Sequence, residues 1–87
     1  MLEVVTIKET RLKIGEWCRQ KRLMYELSQE DLAKALELSR LTIRKLEEGH
    51  NATLDTLLKV INHFDMLGEL YAAIDRNISD NNIISLY

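Results

Sequence analysis

The chain has no proline, three glycines and one cysteine among its 87 residues. Without proline no helix is broken by a missing N–H, and glycine stands only at Gly15, Gly49 and Gly68, so element ends must be read from caps and lapses in apolar periodicity. A lone Cys18 excludes an intramolecular disulfide, and its place in a helical apolar pattern reads as a packed thiol rather than a reactive one. No apolar run approaches the ~18 residues of a membrane span, and the N-terminus lacks the basic-then-apolar layout of a signal peptide. A cytoplasmic location without a membrane partner is the expectation. Convergent polar groups are equally scarce: His50 and His63 are isolated, and no cysteine or aspartate partner recurs at ligand spacing. Catalysis, a metal, a cofactor and a small-molecule substrate are therefore not expected.

What is present is ordinary for one globular domain, with 46% hydrophobic and 30% charged residues of both signs. The net charge of -2 is unevenly spread. From Arg11 to Lys45 nine Lys or Arg (Arg11, Lys13, Arg19, Lys21, Arg22, Lys34, Arg40, Arg44, Lys45) meet five acids, a local +4. From Leu46 onward Lys59 and Arg76 meet seven acids, a local -5. Such a dipolar molecule can offer one end to nucleic acid and the other to a different partner.

Helical periodicity dominates. From about Glu9 to Met24, Leu12, Ile14, Trp17 and Cys18 fall at mostly helical offsets among basic residues. Ser28 reads as an N-cap, followed by Glu30 and Asp31 where negative charge suits a helix start, with Leu32, Ala33 and Leu36 inward. The pattern lapses at Glu37 and Leu38, and Ser39 offers a second cap for a helix with Ile43 and Leu46 inward, closed by Gly49. Thr53 caps a fourth helix with an apolar stripe of Leu54, Leu57, Leu58, Ile61 and Phe64, and a fifth is expected over Met66 to Ile74. Polar residues from Asp75 to Asn82 read as a loop, and Ile83, Ile84, Leu86 and Tyr87 as an apolar tail. Leu2, Val4, Val5 and Ile7 have no helical spacing and read as a short strand or an arm. The expected division is thus an arm or short strand over 1–8, one domain over 9–74 and a tail or strand over 75–87.

Within that domain, Gln29 to Glu48 has the layout of two short helices joined by a tight turn. Apolar residues stand where the helices meet (Leu32, Leu36, Leu38, Ile43, Leu46), with small Ala33 at the crossing point. The outward positions of the second helix are Arg40, Leu41, Arg44 and Lys45, and three cations on one exposed face suit guanine edges and phosphates.

Over about Ile14 to Leu70 the chain resembles the xenobiotic-response-element family of helix-turn-helix regulators, which includes the phage repressor and Cro proteins. The residues that carry the likeness are Ile14-Gly15-Glu16 with Arg19 and Arg22, Leu27-Ser28-Gln29-Glu30-Asp31-Leu32-Ala33, Ser39-Arg40-Leu41-Thr42-Ile43-Arg44-Lys45-Leu46-Glu47, Gly49, and Thr53-Leu54-Asp55-Thr56-Leu57-Leu58. The resemblance implies an all-α, lambda-repressor-like bundle of about five helices that binds double-stranded DNA. It assigns Gln29 to a phosphate and to bracing the recognition helix, Ser39 to capping that helix, and Arg40 and Leu41 to base edges, with Leu41 suited to a thymine methyl. Thr42 would touch backbone or base, Arg44 and Lys45 the next bases or phosphates, and the loop around Asn51 the opposing phosphate strand. Glu37 departs from the family, which most often has glycine in the turn.

Leu57-Leu58-Lys59-Val60 and Met66-Leu67-Gly68-Glu69-Leu70-Tyr71 further resemble HipB-like antitoxins, dimeric autorepressors that partner a HipA-like kinase toxin. A stand-alone or phage-type repressor, or a protein-binding helical module that has lost DNA binding, are the other readings. One small reading head touches few bases, which favours a homodimer on paired half-sites. Leu67, Leu70, Tyr71 and Ile74 are the candidate interface, and closure of the monomer core by the same helix is the alternative.

Overall fold

The computed structural model describes residues 4–85, with side chains described through residue 80. Five helices follow one another: α1 (Ile7–Met24), α2 (Gln29–Leu36), α3 (Arg40–Glu47), α4 (Leu54–His63) and α5 (Leu67–Ser85). Among the described residues there is no strand, so the fold is the expected all-α bundle.

Caps set the helix starts. The hydroxyls of Ser28, Ser39 and Thr53 accept from the backbone N–H groups of Asp31, Thr42 and Thr56, as their positions in the sequence led one to expect. In the first of these Asp31 reaches back to the N–H of Ser28, and these hydrogen bonds hold its carboxyl below the usual carboxylate value. A start near Glu9 is corrected for α1: Thr6 and Glu9 form a reciprocal capping box, and the helix begins at Ile7. The arm is accordingly shorter than 1–8, and Val4, Val5 and Ile7 are exposed.

The stops of α1 to α4 share one device. After each helix a residue with positive φ turns the chain: Glu26, Glu37, Gly49 and Asp65. The N–H that follows then bonds five residues back, Leu27 to Arg22, Leu38 to Ala33, His50 to Lys45 and Met66 to Ile61. Only one of the four is glycine. A left-handed conformation costs a non-glycine residue on the order of 1 kcal/mol, so Glu26, Glu37 and Asp65 are held by the packing on either side of them. The turn of the helix-turn-helix, with Glu37 at φ 57°, is one of these.

The core is formed by Cys18, Leu32, Ala33, Ile43, Leu46, Val60, Ile61, Phe64 and Met66. Ile14, Trp17, Leu27, Leu36, Leu38, Leu57, Leu58 and Leu70 pack around it half-buried. Leu54 was expected on the inward stripe of α4 but is 69% exposed, because as the first helical residue it lies at the open rim rather than over the core. Burial pushes the Cys18 thiol up to about 12, the Glu47 carboxylate adding to the effect, which keeps it protonated and unreactive.

The largest correction concerns the C-terminal part. The expected loop at Asp75–Asn82 is helix, because α5 continues through Ser85. No proline or glycine interrupts this segment, and its polar residues through Asp80 are the exposed surface of a helix rather than a turn. Ile83 and Ile84 fall within α5 and not in a strand. Leu2, Leu86 and Tyr87 lie outside the described residues.

Candidate nucleic-acid interface

α3 is eight residues long and two-faced. Ile43, Leu46 and Glu47 are buried, while Arg40, Leu41, Arg44 and Lys45 are exposed and Thr42 is half-buried. The 3.6-residue period makes this separation: apolar residues at i, i+3 anchor one side, so the intervening residues must point away. Ser39 caps the start, and its hydroxyl lies 2.7 Å from that of Thr42, so both hydroxyls are committed to the helix end in the free protein.

Thr42 and Lys45 of α3 line one shallow cleft with Asn51 and with Thr53 at the start of α4. Four expected contact residues therefore stand together along the exposed side of α3, and three of the expected contacts, Thr42, Lys45 and Asn51, line the cleft beside it. Arg44 is not wholly free. Its Nε lies 3.7 Å from Glu48 Oε2, and Glu48 also has His50 Nε2 at 3.4 Å. Both members of the Arg44–Glu48 pair are about half exposed, so the interaction is weak and easily exchanged for an anion. Arg40 and Lys45 have no ion-pair partner among the described residues.

Gln29 opens α2 and is half-buried. Its Nε2 donates to Glu47 Oε1 at 3.1 Å. Glu47 in turn meets Arg22 of α1 in a two-pronged ion pair, Nε to Oε2 at 2.7 Å and Nη2 to Oε1 at 2.9 Å, with side chains 8% and 2% exposed. The third prong, Arg22 Nη1, donates to the Leu27 carbonyl at 2.8 Å. This buried cluster ties α1, the turn before α2, α2 and α3 together. It fixes the recognition helix from its inner side.

Sequence reading placed Arg22 in the basic cluster, Glu47 in the acidic half and both among the residues that carry the family likeness, without pairing them. Their partnership spans 25 residues and follows no helical or strand period, so spacing could not reveal it. The available signal was chemical: a charged residue at an inward position of α3, one residue after Leu46, demands a buried partner.

Of the residues expected at an interface between copies, Leu67, Tyr71 and Ile74 are 38%, 72% and 51% exposed. Leu70 instead packs half-buried against the core, which gives it the core-closing part. None of the helices among the described residues is long and apolar enough to cross a membrane.

No curated protein matches the chain. A family model described as helix-turn-helix matches residues 19–68, more than half of the chain and all of α2, α3 and α4. With the capped helix pair, its buried inner face and its cationic outer face, that match shows that the chain belongs to the helix-turn-helix family, in its xenobiotic-response-element, Cro-like branch, and is a DNA-binding transcription regulator of that type.

Proposed function

We propose that the protein is a cytoplasmic transcriptional repressor that binds an inverted-repeat operator as a homodimer, each copy laying α3 in a major groove. The observation that carries this reading is the sidedness of α3, with Arg40, Leu41, Arg44 and Lys45 exposed over a buried Ile43, Leu46 and Glu47. Arg40 and Arg44, one turn apart, suit bidentate contact with guanine, and Leu41 suits a thymine methyl. Thr42, Lys45 and Asn51 suit the phosphates on one side, and Gln29 with the start of α2 suits a phosphate on the other. Ser39 holds the helix end that carries the reading residues.

Replacing Arg40 or Arg44 by alanine is expected to weaken binding to a selected duplex by roughly 1–3 kcal/mol and to relax selectivity at one base pair. Titrations read by fluorescence anisotropy measure both effects. Unchanged affinity and selectivity in both variants would rule out α3 as the reading helix, and failure of the wild-type protein to bind any duplex would favour a helical module without DNA binding.

Dimerisation through α5 is supported by Leu67, Tyr71, Ile74 and Ile78, which recur at four, three and four residues and are all exposed. Light scattering at micromolar concentration is expected to give twice the chain mass, and Tyr71→Glu to return it to one. A wild-type monomer contradicts the homodimer. A HipB-like antitoxin role is supported by the α4 and early α5 residues named above, and a HipA-like kinase encoded beside this gene and co-purifying with the protein is its test. Without such a neighbour, the stand-alone repressor remains.

A further inference from the structure

We infer that the cleft bounded by α1, the loop after α3 and the first turns of α4 binds a small apolar carboxylate, and that its occupation weakens DNA binding. The coupling, though not the site, rests on the DNA-binding reading above. The cleft has a volume of about 240 Å3. A cavity of about 150 Å3 accepts benzene, so there is room for one ring and a short acidic arm. Its wall is aliphatic: Ile14 of α1, Leu46 of α3, and Leu54 and Leu57 of α4. Leu54 is 69% exposed at the rim, and a ring in the cleft would cover this apolar surface.

The wall also holds a cation. Arg11 is half-buried, and its Nε donates to the Gly49 carbonyl at 3.1 Å, which fixes the guanidinium beside the cleft. Among the described residues its terminal NH2 groups have no acceptor and it has no ion-pair partner. His50, on the opposite lip, has Glu48 3.4 Å from its Nε2, so Arg11 is the cation left to a ligand. A fixed guanidinium beside an aliphatic wall suits a carboxylate on a hydrocarbon body, with charge-assisted hydrogen bonds to the acid and burial of the rest. The loop behind this site is shared. Ala52 and Thr53 line this cleft and also the one on the DNA side, where Thr42, Lys45 and Asn51 stand. The bound anion therefore acts on DNA phosphates across the thickness of one loop, and salt screens little within a Debye length of about 10 Å.

The test uses the full chain and sodium hydrocinnamate, a phenyl ring on a short chain that ends in a carboxylate. In methyl NMR spectra the Ile14, Leu46, Leu54 and Leu57 signals are expected to shift together and to saturate at millimolar concentration or below, within reach of so small a ligand. Acetate, which has the charge without the ring, and hydrocinnamyl alcohol, which has the ring without the charge, are each expected to bind about tenfold more weakly or worse. Arg11→Gln is expected to lower hydrocinnamate affinity about tenfold. Leu54→Glu, at an exposed position that spares the fold, is expected to lower it as well. Absence of saturation, equal binding of the alcohol, or undiminished binding in both variants overturns the site. Shifts of the same methyls that follow protein concentration without hydrocinnamate make the cleft a contact between copies and overturn it too. On a duplex selected by the wild-type protein from randomised DNA, saturating hydrocinnamate is expected to lower affinity about fivefold or more against equal sodium acetate, and the duplex to lower hydrocinnamate affinity by the same factor. A saturated cleft with DNA affinity unmoved overturns the coupling. Weaker DNA binding by Arg11→Gln without hydrocinnamate, with a salt slope shallower by about one, makes the guanidinium a phosphate contact and overturns the proposal. Failure of the wild-type protein to select a duplex counts against the DNA-binding reading instead, and the methyl titration still decides the site.

Discussion

Arg22→Ala is expected to destabilise the protein by about 3–5 kcal/mol, enough to leave a domain of this size largely unfolded at physiological temperature. The loss does not come from the attraction between Arg22 and Glu47 as such. Two charges taken out of water roughly repay their desolvation only when both are present and fully hydrogen-bonded. With alanine at 22 the Glu47 carboxylate, 2% exposed, keeps a single neutral donor from Gln29, and the Leu27 carbonyl loses its partner as well. Denaturant unfolding followed by circular dichroism measures the change. The paired replacement Arg22→Met with Glu47→Leu removes both charges, and its stability is expected to remain close to that of the wild type. A single variant as mild as the double one would mean that water reaches Glu47 and that the pair is not the internal anchor of α3.

This anchor marks where reading the sequence runs out. The helix starts were legible because a cap is a local device: Ser28, Ser39 and Thr53 each meet a backbone N–H three residues on. The sidedness of α3 was legible because burial of Ile43 and Leu46 fixes where Arg40, Leu41, Arg44 and Lys45 must go. The helix stops were legible as lapses in periodicity, but the left-handed turns at Glu26 and Asp65 that make two of them were not, since tertiary packing imposes them, and at Glu37 only the family's usual turn glycine pointed to one. The full length of α5 was missed for a different reason. Polarity reports exposure to water, and in a chain without proline it says little about whether the exposed backbone is helical. The Arg22–Glu47–Gln29 cluster was hidden because it joins three helices, and only their packing brings it into being.

Gly15→Ala is expected to destabilise the protein by about 1–3 kcal/mol or more, although alanine is the better helix former by nearly 1 kcal/mol. The opposition of these two effects makes the prediction informative. Gly15 is buried in α1 where that helix crosses α3, and a Cβ there would collide with the Glu47 carbonyl oxygen and come within 2.7 Å of the Glu47 carbonyl carbon and the Leu46 oxygen. Those atoms are backbone, so no rotamer change relieves the clash. α1 must instead draw back from the last turn of α3, and that shift lengthens the contacts by which Arg22 holds Glu47. Gly68, near the start of α5, supplies the contrast. A Cβ there meets nothing within 4 Å, so Gly68→Ala is expected to leave stability unchanged or raise it by up to about 1 kcal/mol. Thermal unfolding of the two variants side by side separates propensity from packing. If Gly15→Ala melted with or above the wild type, α1 and α3 would have to lie farther apart than described. The buried ion pair could then not hold the recognition helix from its inner side at the distances described.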